Sequence, residues 1–343
     1  MGHRVGIYGA SGYVGGELVR FADGHPDLEV AILAGASSAG SLLGDVHPHL
    51  SGSERRLMDL DPNHAHDLDL VFLALPHGAS AEIAIKLLDL GVRVVDLGSD
   101  FRLDSIDRYQ EAYGSDHPDP ESLGSWPYGL PELFRDRIVG SDRVAVPGCY
   151  PTSAILGLSP LLTAGLIAPA PIMVDSMSGI SGAGRAVKAH LTYLAIDEGV
   201  TAYGLLTHRH RPEIEMGLDH AAGDPTTVLF TPHLVPMQRG ILSTCHAPLT
   251  DDASGRDLAG VLEDAYADEP FVDVIKSPPQ TRWVVGSNRC LISVSVDERS
   301  GTALILSAID NLVKGAAGQA IQCANLMLGL HEAEGLPDSG WMP

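Results

Sequence analysis

The sequence predicts an α/β chain in two parts, a parallel-sheet domain followed by a second α/β (α+β) domain. Three observations carry this reading. Val5-Gly6-Ile7-Tyr8 is a short apolar run that stops at a glycine-rich turn, Gly9 to Gly16, and gives way to helical spacing from Glu17 to Phe21. Strand-like and helical stretches then alternate as far as Pro147, the signature of a parallel sheet. After Cys149 the apolar runs become short and turn-spaced, as in a mostly antiparallel sheet.

The elements follow in order. Glu29–Leu33 reads as the second strand. Leu70–Leu75 is a buried-strand run ending at Pro76-His77-Gly78, and Ser80–Leu90 is helical. Val92–Leu97 is a further strand, and Arg143–Val146 closes the series before Pro147-Gly148-Cys149. The stretch from Ser115 to Pro131, rich in Pro, Gly and Ser, reads as a surface excursion. Beyond Cys149, Ser153–Leu162 is helical. Strand-like runs come at 172–174, 227–230, 241–245, 291–296 and 303–306. Ala316–Leu328 is the last long helical stretch.

Composition narrows the function. The 343 residues suit two domains, and 45% hydrophobic against 19% charged residues describes a packed globular chain. With 22 basic against 44 acidic residues the net charge is −22, which disfavours nucleic-acid and membrane-surface partners. No apolar run approaches the ~18 residues of a membrane span, and the N-terminus enters a strand at once without a signal-like segment, so a soluble, cytoplasmic protein is expected. The four cysteines, Cys149, Cys245, Cys290 and Cys323, form no Cys-x-x-Cys pair, and no metal is expected.

Five motifs carry chemistry. Gly9, Gly12 and Gly15 let backbone approach a pyrophosphate at a helix N-terminus. Their spacing, Gly-x-x-Gly-x-x-Gly, is not the usual dinucleotide fingerprint, and the position inside a strand–turn–helix unit gives it weight. The second strand ends in Gly35-Ala36-Ser37-Ser38, with no acid for a ribose 2′-hydroxyl, so Ser37 and Ser38 point to NADP(H) rather than NAD. Cys149, in Pro147-Gly148-Cys149-Tyr150-Pro151-Thr152, precedes a helix whose N-terminus favours thiolate. A small buried hydrophobe is the commoner fate of a free cysteine, and Cys245, Cys290 and Cys323, inside apolar runs, fit it. In Thr207-His208-Arg209-His210-Arg211-Pro212, Pro212 marks a helix start. One histidine there suits acid–base work, and the arginines suit a carboxylate or phosphate. The Gly/Ser loop Ser178–Arg185, ending in Arg185, suits an anion pocket. His47, His49, His64 and His66 read as loop residues.

Together with Asp100-Phe101-Arg102-Leu103, Trp126–Leu133 and Asp310–Gln319, these strings resemble the N-acetyl-γ-glutamyl-phosphate reductase family, in order from residue 5 to about 330. The chain departs from the family pattern at Gly98-Ser99, before Asp100, and at Leu206-Thr207, where the family carries glycine before His208. The resemblance implies a Rossmann-like domain at 1–148, completed by a C-terminal helix at about 312–343. It also implies a catalytic and oligomerisation domain at 149–311, like those of aspartate-semialdehyde and glyceraldehyde-phosphate dehydrogenases, in a homodimer or homotetramer. Cofactor contacts are implied for Gly9, Ser11, Gly12, Tyr13, Val14, Gly15, Ser37, Ser38, Pro76, Ser181, Gly182 and Asn311. Substrate contacts are implied for Arg185, Arg209 and Tyr150.

The expected reaction is NADPH-dependent reduction of an acyl phosphate, N-acetyl-glutamyl 5-phosphate, to the semialdehyde in arginine biosynthesis. Cys149 forms a thioester, with His210 as acid–base and His208 as runner-up or substrate ligand. Two alternatives stand beside it: the lysine-pathway aminoadipyl homologue, one methylene longer, and a nucleotide-binding sensor that has lost catalysis. An intact pair of thiol and histidine argues against the sensor.

Overall fold

The computed structural model describes residues 2–341 in two compact units. The outer ends of the expected domains, Met1 and Met342–Pro343, lie outside the described residues. Unit 1 takes in the chain up to Ile106, Asp116–Pro147 and Ala316–Leu336. Unit 2 holds Asp107–Ser115, Gly148–Gly315 and the chain from Pro337.

Unit 1 is built on five parallel strands, β1 (His3–Tyr8), β2 (Leu28–Ala34), β3 (Leu70–Leu73), β4 (Arg93–Asp96) and β5 (Arg143–Ala145), in the order β2-β1-β3-β4-β5. Strand β3, Leu-Val-Phe-Leu, is apolar and buried along its whole length because both of its faces are covered. Tyr8, Val71, Leu73 and Val94 pack with Ala84 and Leu87 of the Ala81–Asp89 helix. The Gly318–Leu328 helix, buried along nearly its whole length, completes this unit. It is tied in by Gln319, donating to the Gly129 carbonyl at 2.7 Å, and by Asn325, which meets His25 Nε2 at 3.1 Å. The expected surface excursion at 115–131 is corrected at its C-terminal end. Trp126, Tyr128 and Leu130 are buried, and Trp126 stacks on Phe101 with centroids 4.0 Å apart. Large aromatic side chains outweighed the turn-rich composition around them.

Unit 2 holds a seven-stranded mixed sheet, ordered β10-β11-β12-β9-β6-β8-β7. The strands are β6 (Ile172–Ser178), β7 (Thr201–Ala202), β8 (Val228–Leu234), β9 (Ile241–Pro248), β10 (Val272–Val274), β11 (Cys290–Asp297) and β12 (Thr302–Ile309). The pairings are mostly antiparallel, with β6·β8 and β10·β11 parallel. Residues along β9 alternate between buried and half-buried, so one face meets the core. That core holds the Cys149–Thr163 and His210–Ala222 helices, which approach so closely that a Cβ on Gly217 would run into Ile155. The opposite face leaves Met173, Met177 and Leu229 exposed, with Met173 beside Leu229 in register.

A polar cluster caps the start of the Ala81–Asp89 helix in unit 1. Asp100 accepts from the amides of Gly78, Ser80 and Ala81, and the Ser80 hydroxyl reaches both Asp96 and Asp100. Asp96 is fully buried. Burial, reinforced by neighbouring Asp100, pushes its carboxyl up to about 7. In the unfolded chain it titrates near the ordinary ~3.9. Between these values the folded protein keeps a proton that the unfolded chain has released. The stabilisation is therefore complete below about pH 4 and is lost as pH rises through about 7. Asp96→Asn, which resembles the protonated form, is expected to gain in melting temperature over the unaltered protein as pH rises from ~5 to ~8. Circular dichroism melts across that range check this, and an advantage that shrinks with pH contradicts it.

Candidate active site

In unit 2, Gly148 is the N-cap of the Cys149–Thr163 helix, and no side chain caps it. Cys149 is therefore the first helical residue, four positions earlier than the sequence pattern suggested, with its thiol at the positive end of the helix dipole. Two contacts fix its place. The Gly148 amide donates to the buried Glu213 carboxylate at 2.7 Å. Behind the thiol, a Cβ on Gly315 would stand 2.7 Å from the Cys149 Cβ, so only glycine fits there. Gly315 lies in a π-helical turn, Val313–Ala317, a form that often marks functional positions.

Cys149 opens onto a cavity of about 600 Å³, lined also by Tyr150, Ser178, Gly182, Lys188, His190, Tyr203, His208, Arg209 and His210. His210 begins its helix, with Pro212 in the first turn, and is buried. The His210 amide donates to His208 Nδ1 at 3.1 Å, which leaves Nε2 of His208 to carry the proton. Burial, with Arg209 beside it, lowers His208 to about 4, so this ring is neutral at neutral pH. Its edges meet Tyr150, Tyr203, Phe230 and His210, the last at 4.9 Å between centroids. Tyr150 and Tyr203 share a 2.8 Å hydroxyl–hydroxyl bond. Burial pushes Tyr203 up to about 12 and Tyr150 higher, so both stay protonated. Asn311 donates to the Ser181 hydroxyl at 3.0 Å and accepts from the Gly240 amide at 2.8 Å, beside Gly182.

In unit 1 the glycine turn has the form of a phosphate cradle. Gly9 has φ +91°, and a Cβ there would run into the Ala74 carbonyl; one on Gly15 would run into the Gly9 carbonyl. Gly12 is the N-cap of the Tyr13–Gly24 helix, without a side-chain cap, and a Cβ on it would meet only the Gly9 carbonyl at 3.5 Å. Gly9 and Gly15 serve close packing, and Gly12 leaves room over the helix N-terminus, which fits a pyrophosphate. Tyr13 and Pro76 are exposed at this edge, with Ser11 and Val14 half-buried. After β2 the chain turns through Gly35–Gly40, with Ser37 exposed and Ser38 half-buried. Arg56, which the sequence reading missed, donates to the Gly40 carbonyl at 2.8 Å and brings a guanidinium to that turn.

The family model for the semialdehyde dehydrogenase NAD binding domain matches residues 4–141, and that for the semialdehyde dehydrogenase dimerisation domain matches residues 149–311. The N-acetyl-gamma-glutamyl-phosphate reductase of Moorella thermoacetica is 45% identical over 344 residues, 99% of each chain. That of Frankia casuarinae is 47% identical over 348 residues, all of both chains. The chain belongs to the N-acetyl-gamma-glutamyl-phosphate reductase family. Among solved structures, aspartate semialdehyde dehydrogenase II of Vibrio cholerae shares the fold, with TM-score 0.72 and 19% identity over 96% of this chain and 99% of that one. An aspartate semialdehyde dehydrogenase with NADP from Candida albicans aligns at TM-score 0.69 and 15% identity, over 96% of this chain and 99% of that one.

Against this reductase family, the residues singled out in the sequence divide clearly. Cys149, Tyr150, His208, Arg209 and His210 border one cavity, and Gly182 joins them. Arg185 is exposed and does not line it; Lys188 and His190, three and five residues on, do. Arg211 is taken up by an ion pair with Glu111. Leu206, where the family carries glycine, has φ +60°, a conformation unfavourable for a branched side chain. Tyr203 and Lys188 lay in segments whose composition gave no signal, and Glu213 follows Pro212 in the histidine motif but had been given no role.

Cys245, Cys290 and Cys323 are buried, and burial pushes the Cys245 thiol up to about 12. Iodoacetamide on the native protein is therefore expected to label Cys149 alone, and peptide mass spectrometry reads the outcome. Labelling of Cys245 at a comparable rate would contradict the assignment of Cys149 as the accessible thiol.

Proposed function

We propose that the chain reduces N-acetyl-L-glutamyl 5-phosphate to N-acetyl-L-glutamate 5-semialdehyde and phosphate, through a thioester on Cys149 and with NADPH as reductant. The observation that carries the reading is the lone half-exposed cysteine at a helix N-terminus, sharing a cavity with two histidines, in a chain 45–47% identical over its length to reductases of that name.

The Cys149 thiolate, favoured by the helix N-terminus, attacks the acyl carbonyl. The carbon–oxygen bond to phosphate breaks, phosphate leaves, and a thioester forms. Gly9, Gly12 and Gly15 would hold the pyrophosphate of a nicotinamide cofactor, whose chemistry would be to supply a hydride for reduction of the thioester carbonyl. His210 gives a proton to the developing alkoxide and takes it back as the thiohemiacetal collapses to aldehyde, freeing the thiolate. His208 is assigned to substrate instead: neutral down to about pH 4, it has no proton to give at Nδ1 and offers Nε2–H as a hydrogen-bond donor. Tyr150 adds a protonated hydroxyl, and Arg209 and Lys188 supply positive charge for phosphate and carboxylate. Ser181, Gly182 and Asn311 form a linked polar cluster suited to the carboxamide of the cofactor.

Residues 1–148 are read as the cofactor domain, with the helix from about 312 onward completing it, and 149–311 as the catalytic and oligomerisation domain. The apolar sheet face bearing Met173, Met177 and Leu229 is assigned to contact with a second copy, in a homodimer or homotetramer. No helix among the described residues is long and apolar enough to cross a membrane, and a cytoplasmic site without metal suits the chemistry.

Cys149→Ser is expected to abolish reduction while NADPH still binds, and His210→Asn to lower kcat by about 10²–10⁴-fold. His208→Asn should act mainly on substrate KM. Steady-state kinetics separate the three, and an active Cys149→Ser protein would overturn the mechanism. NADPH is expected to be preferred over NADH, because Ser37, Ser38 and Arg56 stand where NAD enzymes carry an acid. Ser38→Asp should reduce kcat/KM for NADPH more than for NADH, and equal efficiency of the unaltered protein with both cofactors contradicts the assignment.

A further inference from the structure

His47 differs from the loop histidine that the sequence suggested. It is 3% exposed, and its Nε2 lies 2.8 Å from the Ala10 carbonyl, which can only accept, so Nε2 donates. Its ring occupies space that a neighbouring glycine leaves open. A Cβ on Gly16 would stand 2.6 Å from Cε1 of the ring and 2.9 Å from Nδ1. Gly15 is explained by the Gly9 carbonyl packed against it; Gly16, inside a helix where glycine is unfavourable, is explained by the His47 ring.

The bond falls on one sensitive peptide. The Ala10 amide donates to the Ala34 carbonyl at 2.9 Å, and the Ala10 carbonyl accepts from His47, so the residue is held on both sides. A trans peptide directs its N–H opposite to its carbonyl. Drawing the Ala10 carbonyl toward His47 therefore sets the direction of the Ser11 amide in the turn that leads to Gly12.

We propose that His47 is a positioning residue for the cofactor: its imidazole, lodged against Gly16 and bonded to the Ala10 carbonyl, holds the 9–12 turn in the form that receives the pyrophosphate. The proposal rests on the reading of unit 1 as the NADPH site and adds to it a residue that touches neither cofactor nor substrate.

The test uses the full chain and NADPH titrated by its own fluorescence, with steady-state kinetics and thermal melting alongside. His47→Phe keeps a ring and loses the donor. It is expected to raise the Kd and KM for NADPH at least tenfold while kcat at saturation and Cys149 alkylation stay within about twofold. His47→Gln, which can place an amide N–H near the same carbonyl, should restore affinity to within threefold. Gly16→Ala improves helix propensity yet pushes on the ring, so it should weaken NADPH about as much as His47→Phe, and in a His47→Ala background it should add no further loss. The double-mutant comparison stands even where His47→Phe folds poorly. NADPH affinity unchanged in a folded His47→Phe protein, or a Gly16→Ala cost equal in both backgrounds, would overturn the proposal. Unaltered protein that binds neither NADPH nor NADH would overturn the cofactor reading itself, and this proposal with it.

Discussion

The amide of Gly148 donates to a carboxylate that water does not reach, and the chemistry of unit 2 is arranged around that bond. Glu213 sits one turn into the helix that begins at His210, and Gly148 precedes the thiol. A single hydrogen bond thus ties the start of the Cys149 helix to the start of the His210 helix. Because the carboxylate is buried, losing this donor would cost about 1–3 kcal/mol. The close approach of the two helices at Gly217 and Ile155 continues the same alignment deeper into the core. The cavity between Cys149 and His208 is the open end of that packed pair.

Much of this was legible in the sequence, for identifiable reasons. Gly9, Gly12 and Gly15 announced a turn where backbone can approach a pyrophosphate, and the structure finds a carbonyl packed against Gly9 and Gly15 and room left at Gly12. Cys149 stood apart from the other cysteines because glycine and proline punctuate its neighbourhood, whereas Cys245, Cys290 and Cys323 lie in apolar runs. What escaped was set by tertiary contact. Arg185 ends its loop outside the cavity, while Lys188, in a stretch without periodicity, lines it. Trp126 and Tyr128 are core residues in a segment of turn-like composition. The segment 107–115, which belongs to unit 2, forms ion pairs there, Arg108 with Asp219 and Glu111 with Arg211, which no local pattern foretells.

The acidity of the chain bears on how an anionic substrate is received. A net charge of −22 opposes its approach at long range, and many arginines are spent on carboxylates, among them Arg4 on Asp67, Arg20 on Glu17, Arg55 on Asp23 and Arg135 on Glu332. The cations at the cavity, Lys188 and Arg209, act at short range, where the Debye length of ~8 Å at physiological salt leaves them in force and mutes distant acids.

Gly315 has a consequence for how the protein is made. The residue that backs the Cys149 Cβ lies near the end of the chain, and the residues straight after it, from Ala316, complete unit 1. Synthesis runs from the N-terminus, so Cys149 leaves the ribosome long before the glycine against which it must rest. Until the last stretch emerges, the thiol has a helix to begin but no wall behind it, and unit 1 lacks the helix of Gly318–Leu328. A chain that stops before Gly315 therefore lacks both the wall behind Cys149 and the helix that unit 1 packs against its sheet.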